Sequence, residues 1–310
     1  MEKHFWPLVC PVCEAALTRI DNRLKCVQLH SFDMATKGYV NLSLGNRQTH
    51  RLCGDAREML AARKTFLGQG FYQPLSDALN MQVYQRFLEL ARHKVKPGLT
   101  CIAEVGCGEG YYLGRLKDYL DRRLGTERMC YFGMDIAKEA VRLAARQHND
   151  IFFFVADVKR KILFSKGSVR ILLNIFSPRN AVEFDRVLAS EGLLFVVIPN
   201  PDHLTSLRSE FGLLAIEANK RQHIVEQLSG VFRLAKQQSI KYDLYLNGKE
   251  LSDLIRMTPN YWHLPSETWS SLEAREDIRT SASFTILEFK KHAVQAIRRT
   301  TRARAREARG

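Results

Sequence analysis

The 310-residue sequence contains no apolar run longer than a strand, which excludes a membrane-spanning helix as an organising feature. Its first residues lack the basic-then-apolar order of a secretory signal. Cysteine is sparse and odd in number, seven residues at positions 10, 13, 26, 53, 101, 107 and 130, so a disulfide framework is excluded and a cytoplasmic enzyme is expected. Acidic residues are also short, 33 against 47 Lys and Arg, for a net charge of +14. About half of that excess lies from Lys290 onward, where eight Lys/Arg accompany one Glu. A polyanion partner and a solvated basic surface both fit such a balance. Hydrophobic residues at 45% and charged residues at 26% are ordinary for a globular chain, and the length allows one large core with small additions.

A further absence is more telling. The apolar run Cys101 to Val105 ends in glycines at 106, 108 and 110, and Leu113, Leu116 and Leu120 follow at helical spacing. This is strand, tight turn, helix, but the third glycine comes one residue too early for the G-x-G-x-x-G turn that grips a dinucleotide diphosphate. Acidic Glu104 precedes the turn, and a second apolar strand, Tyr131 to Met134, ends in Asp135. A carboxylate there suits the two hydroxyls of an adenosine ribose. The reading is S-adenosylmethionine (SAM), set against a glycine turn that merely closes a strand–helix unit.

The N-terminal region carries different chemistry. Cys10, Cys13, Cys26 and His30 form C-x2-C-x12-C-x3-H, two short ligand pairs separated by a dozen residues. Thiolate and imidazole in that register make a tetrahedral zinc site with no open position, structural or recognitional in role. The intervening loop is too poor in apolar residues to fold alone, so metal binding would supply the folding free energy.

Further along, residues 43–54 read as a polar, basic linker. An amphipathic helix follows from Asp55, with Ala56, Met59, Leu60, Arg63 and Leu67 on one face. Pro74 starts another, striped by Leu75, Leu79, Val83, Phe87 and Leu90. Strands are expected at 101–105, 131–135, 151–155, 169–175 and 192–198 with helices between them, an α/β doubly wound parallel sheet whose ligands bind at the strands' carboxyl ends. That end gathers the glycine turn, Asp135, Asp157, the segment from Asn174 to Pro178 and the segment from Pro199 to His203. Asp157 could accept from an adenine amino group, and the alternative is that Asp135 and Asp157 are helix or turn caps. A helical stretch is expected to run from His203 to about Leu228, then long strands at 231–246 and 283–289. The tail after Lys291, rich in alanine and arginine, reads as an RNA-binding arm.

The combination of a Cys3His module with a SAM turn resembles the bacterial 23S rRNA (guanine-N1)-methyltransferases, the family that includes the tylosin-resistance methyltransferase. The matching stretches include the four zinc-type residues, Phe32-Asp-Met, Gly38-Tyr-Val-Asn-Leu42, Gly54-Asp, Ala62-Arg63, Phe71-Tyr-Gln-Pro-Leu75, Gly106-Cys-Gly-Glu-Gly-Tyr-Tyr112, His203-Leu and Met257-Thr-Pro. The resemblance implies a class I SAM-dependent methyltransferase that modifies N1 of a guanine in a 23S rRNA hairpin near the peptide exit tunnel. It implies zinc on Cys10, Cys13, Cys26 and His30, SAM contacts from Tyr72, the Tyr112–Leu113 pair and His203, and a homodimer. Residues 157–169 keep only an echo of the family's Leu-Pro-Phe-x-Asp segment, with Lys166 where an acid is usual.

From these readings the expected organisation is a zinc module over 1–42, a linker with covering helices over 43–96, the methyltransferase domain over 97–290 and a basic tail over 291–310. The SAM site is expected to draw on Tyr72, Glu104, Gly106, Gly108, Gly110, Tyr112, Leu113, Asp135, Asp157 and His203. Asn174 and His203 are the candidates for accepting the guanine N1 proton, and Tyr72, Phe176, Tyr261 and Trp262 for holding the extruded base. Two rivals stand beside this: a small-molecule methyltransferase, and a zinc-ribbon RNA-binding protein whose methyltransferase domain has decayed.

Overall fold

The computed structural model describes residues 6–44, 55–92, 100–125 and 129–292. Near its start, three short strands, β1 (Thr18–Ile20), β2 (Arg23–Lys25) and β3 (Ser31–Asp33), form an antiparallel sheet. Strand β4 (Val40–Asn41) leaves that sheet and pairs in parallel with β7 (Phe152–Val155). It thereby becomes the edge of an eight-stranded sheet. The others are β5 (Thr100–Val105), β6 (Met129–Asp135), β8 (Val169–Ile175), β9 (Leu188–Pro199), β10 (Phe232–Leu246) and β11 (Ile278–Lys291), in the order β10-β11-β9-β8-β5-β6-β7-β4. Strands β4 to β9 pair in parallel, and β11 runs antiparallel to both β9 and β10.

The central strands are apolar on both faces because helices cover both sides. Ile171, Leu172 and Leu173 of β8 and Leu194 to Val197 of β9 are fully buried. The chain winds away from β5 in both directions, to β6 and to β8, so the crevice lies beyond the carboxyl ends of these strands. Helices α3 (Tyr111–Leu124) and α4 (Lys138–Gln147) follow β5 and β6, and α5 (Ala181–Val187) precedes β9.

Two earlier helices, α1 (Arg57–Gly68) and α2 (Gln73–Arg92), lie over the sheet. Met59, Leu60, Phe66 and Leu67 of α1 are buried, as are Leu75, Leu79 and Val83 of α2. Leu90 is among the side chains outside the described set, as are most of the basic linker and the arginine tail. Arg86 of α2 reaches the fully buried Glu288 of β11 at 2.8 Å, tying helix to sheet.

Two features depart from the expected organisation. The boundary at residue 42 does not separate two cores: Leu8, Leu17, Leu24, Val40 and Leu42 pack in one cluster with Phe132, Phe154 and Phe164. The helical stretch after His203 is broken. It consists of α6 (Thr205–Phe211) and α7 (Lys220–Leu228), parted at Gly212, whose φ of +62° closes α6 in the left-handed conformation. The chain finishes through α8 (Gly248–Arg256), opened by an Asn247/Glu250 capping box, then a short 3-10 turn at Pro259–Trp262 and α9 (Ser266–Glu273).

Candidate functional site

One cleft of about 1070 Å³ opens at the carboxyl ends of the parallel strands. Its floor is the glycine turn. Gly106, Gly108 and Gly110 have φ of +74°, +55° and +86°, a region that costs other residues about 1–2 kcal/mol. The turn is pinned to the end of β6: the Gly106 and Cys107 amides donate to Met134 O at 2.8 and 3.0 Å, and the Gly108 amide to Asp135 Oδ2 at 2.9 Å. Gly106 is required for a second reason, since a Cβ there would lie 2.4 Å from Cβ of Ser177 in the neighbouring loop.

Acidic side chains gather on this side. Glu104, Glu109, Asp135 and Asp55 all line the cleft. Glu104 is 1% exposed and its Oε2 has no hydrogen-bond partner. Burial, with Glu109 and Asp135 nearby, holds its carboxyl well above the usual range. Asp135 is raised too, by burial, against the opposing pull of the Ala137 and Gly108 amides, which donate to Oδ1 and Oδ2 at 2.8 and 2.9 Å. Arg63 is the cation among them. It pairs with Asp55 and donates to Met257 O at 3.0 Å, so α1 is fastened to the residues that follow α8.

The opposite wall is aromatic. Tyr72, Tyr112, Phe176 and Phe284 line it, with ring centroids of Tyr72 and Phe284 4.9 Å apart and those of Phe176 and Phe284 5.5 Å apart. Phe176 keeps a φ of +52° and is 44% exposed, an uncommon pairing for a large apolar residue. His203 is buried between them. Its Nδ1 accepts from the Ser283 amide at 3.1 Å, which leaves the proton on Nε2, facing the Tyr72 hydroxyl at 3.4 Å. Burial, reinforced by Arg208, lowers its pKa to about 3, so the ring is neutral.

A second constellation lies far from the glycine turn in sequence. The ligand atoms of Cys10, Cys13, Cys26 and His30 all fall within 4.8 Å of one another. Cys13 and Cys26 sulfurs are 3.6 Å apart, and His30 Nδ1 lies 3.6 Å from Cys10 Sγ and 3.4 Å from Cys26 Sγ. Ligands held about 2.1–2.3 Å from a tetrahedral zinc stand at edges of about 3.5–3.8 Å, so the donor set fits.

Residues 8–43 match the zinc-ribbon family described as RlmA, N-terminal. The 23S rRNA (guanine(748)-N(1))-methyltransferase of Streptomyces fradiae is 33% identical over 284 residues, 90% of this chain and 95% of that one. A putative 23S rRNA (guanine-N(1)-)-methyltransferase of Micromonospora griseorubida is 35% identical over 269 residues, 83% of this chain and 87% of that one. The chain belongs to the 23S rRNA (guanine-N1)-methyltransferase family. YxjB of Bacillus subtilis strain 168, named as a putative member, is 29% identical over 289 residues.

For this methyltransferase, Tyr72, Glu104, Gly106, Gly108, Tyr112, Asp135, Asp157 and His203 all line the cleft. Gly110 and Leu113 do not. A Cβ on Gly110 would face Phe153, Ala144 and His148 at 3.1–3.2 Å, so that glycine serves packing of α4, and Leu113 is fully buried in the core. Asp157 accepts from the Lys159 amide at 2.9 Å, as a turn cap does. Asn174 is fully buried and not among the lining residues. Its Nδ2 donates to Ser177 Oγ at 2.5 Å and Pro178 O at 2.9 Å, which makes it the support of the loop bearing Phe176. A proton-accepting role fits neither candidate, because Asn174 is held away from the cleft and His203 has Nδ1 occupied. Tyr261 and Trp262 lie outside the lining, while Tyr72 and Phe176 are in it. Arg63 was legible as a member of one face of α1 and in the Ala62-Arg63 match to the family, whereas nothing local marked Arg179, Arg208 or Lys220.

Proposed function

We propose that this chain transfers the methyl group of SAM to N1 of a guanine in 23S rRNA, with SAM in the cleft of the glycine turn. The observation that carries the reading is the meeting of full-length membership in the family with a cleft whose floor and charges suit that cofactor. Glycines 106 and 108 let the backbone approach it closely. The orphaned carboxylate oxygen of Glu104 would take the ammonium, and Asp135, whose oxygens each keep a free lone pair, would take the ribose hydroxyls. SAM, when bound, would supply an electrophilic methyl on a sulfonium, leaving as S-adenosylhomocysteine while the guanine N1 proton is released to water.

The protein's part is placement. Tyr72 and His203 hold each other and close the wall against water, and neutral His203 adds no positive charge beside the sulfonium. Holding two reactants in line lowers the barrier by several kcal/mol through proximity alone. A base must leave its stack to reach such a cleft, and Phe176, ring exposed at its rim, offers the extruded guanine a face. We assign zinc to Cys10, Cys13, Cys26 and His30 as a closed structural site. We further place the protein in the cytoplasm and expect a homodimer, which sedimentation would check. Among the described residues no helix is long and apolar enough to cross a membrane.

The test is methyl transfer from labelled SAM to 23S rRNA from a strain lacking this modification, followed by nuclease digestion and mass spectrometry. One N1-methylguanosine at one position is expected. Label on a small molecule but not on rRNA would overturn the reading. So would rRNA binding without measurable SAM affinity, which would favour a decayed domain.

A further inference from the structure

We propose that Arg179 and Lys220 form a phosphate-binding subsite in the wall of the cleft, taking a phosphodiester of the RNA strand whose base enters it. The inference rests on the function proposed above and adds to it where the backbone of the substrate is gripped. Its starting point is the division of charge within the cleft. The acids Asp55, Glu104, Glu109 and Asp135 stand on the glycine-turn side together with Arg63, which is paired with Asp55, while Asp157, Lys159 and Glu217 also line the cleft. Arg179, Arg208 and Lys220 line the other side, and none of the three has a carboxylate partner among the described residues.

Arg179 leaves the loop after Phe176 with only neutral acceptors. Its Nη1 donates to Ser177 O at 3.2 Å and its Nε to Gln227 Oε1 at 3.3 Å, while Nη2 has no acceptor among the described residues. Lys220 opens α7, its amide donating to Glu217 O at 3.2 Å, and among the described residues its ammonium makes neither hydrogen bond nor ion pair. The nearest acid, Glu217, is engaged by His223. Burial lowers the proton affinity of both cations, and for Lys220 the neighbouring Arg179 lowers it further. Two half-buried cations near enough to repel each other are an unfavourable arrangement unless an anion lies between them. A guanidinium with free N–H groups and an ammonium beside it suit phosphate oxygens well. A nucleotide is favoured over a simple anion because Phe176, three residues before Arg179, presents an exposed ring to the same cleft. The methionine carboxylate of SAM is the competing occupant, and the experiment separates the two.

Full-length, zinc-loaded protein carrying Arg179→Gln, Lys220→Gln or both would be titrated with a 23S rRNA transcript across a salt series, and with SAM by calorimetry. Arg122→Gln, an exposed change near the end of α3 remote from the cleft, is the control. Each cleft variant is expected to weaken RNA binding about five- to tenfold, and the double variant to flatten the salt slope by about 0.7–0.9, the share of one phosphate. SAM affinity and the control should match the parent. Unchanged RNA affinity and slope in the double variant would overturn the subsite while leaving the rRNA reading intact. SAM affinity that falls along with RNA affinity would overturn it in favour of the methionine carboxylate. A parent that binds no 23S transcript would remove the proposed function and the subsite together.

Discussion

At Gly106 two independent constraints coincide, and they predict that neighbouring glycines of one motif differ in cost. Alanine there would hold a φ of +74° and drive a methyl into Ser177, whose Oγ donates to Val105 O at 2.7 Å and accepts from Asn174. Strain of about 1–2 kcal/mol and at least one lost hydrogen bond of about 1 kcal/mol should add, so urea denaturation of Gly106→Ala is expected to show a loss near 3 kcal/mol. Gly108→Ala meets only the flexible end of Arg63 at 3.3 Å and should cost about 1 kcal/mol, its larger effect falling on SAM affinity. Equal losses for the two would refute the argument. Glu104 gives the opposite kind of prediction. Its folded pKa lies above the unfolded value, so the folded chain binds the extra proton. That contribution to stability is complete below about pH 4.3 and is lost as pH rises through the folded value. Glu104→Gln should therefore melt at a higher temperature than the parent at pH 8, with the gap closing toward pH 4. The same change should weaken SAM binding about tenfold or more by removing a charged partner. A parent more stable at pH 8 than the variant would show that Glu104 already has a partner.

Elements were legible in the sequence where periodicity is local and long. The apolar runs of β5 to β8 and the glycine turn announced the α/β sheet because strands buried on both faces leave little room for polar residues. The pairing of β4 was not legible: two residues on a parallel edge carry no period, and what makes Val40 and Asn41 an edge strand is β7 beside them. The bonding of His203 could not be read for the same reason, since its partner Ser283 is set by tertiary placement, while Asn174 bonds locally to Ser177 and Pro178 in a turn that carries no periodic signal. Position at the correct end of the sheet was readable, while role was not. The seating of β4 also changes what removal of zinc should do. Leu8, Leu24 and Val40 lie in one cluster with Phe132, Phe154 and Phe164, so the zinc ribbon cannot unfold without uncovering the sheet. Cys26→Ser, or extraction of the metal by a strong chelator, should lower the melting temperature of the whole protein as one calorimetric transition. Two transitions, the upper one unmoved, would mean that the ribbon and the sheet are thermally independent. Deletion of residues 1–42 should likewise yield a poorly soluble sheet with an open edge, and not a free-standing SAM-binding domain.

For the molecule as a whole, the charge of +14 divides into populations with different duties. The cleft pair Arg179 and Lys220 is fixed by half-burial and by its place beside Phe176, and it can act on only one phosphate of a correctly seated strand. The arginines at 298, 299, 302, 304, 306 and 309 lie outside the described residues and beyond β11, which ends at Lys291. Six in number, they suffice to meet several phosphates of any RNA. Counterion release makes these roles separable by salt. Truncation after Lys291 removes six arginines and one glutamate, and should reduce the salt slope by up to about 4 if most of them meet phosphates. The affinity lost should be the same for 23S rRNA and for an unrelated RNA of equal length, because phosphate contacts carry no sequence information. The position of the methylated guanine should not move. The cleft variants should behave in the reverse way, with a small change in slope but a loss of methyl transfer that excess RNA only partly restores, since the phosphate they hold helps to place the base. Filter binding at four salt concentrations, run beside methyl-transfer assays on both variants, measures the two effects in one experiment. A truncation that shifts the methylated position, or that spares unrelated RNA, would show that the tail helps to recognise its target.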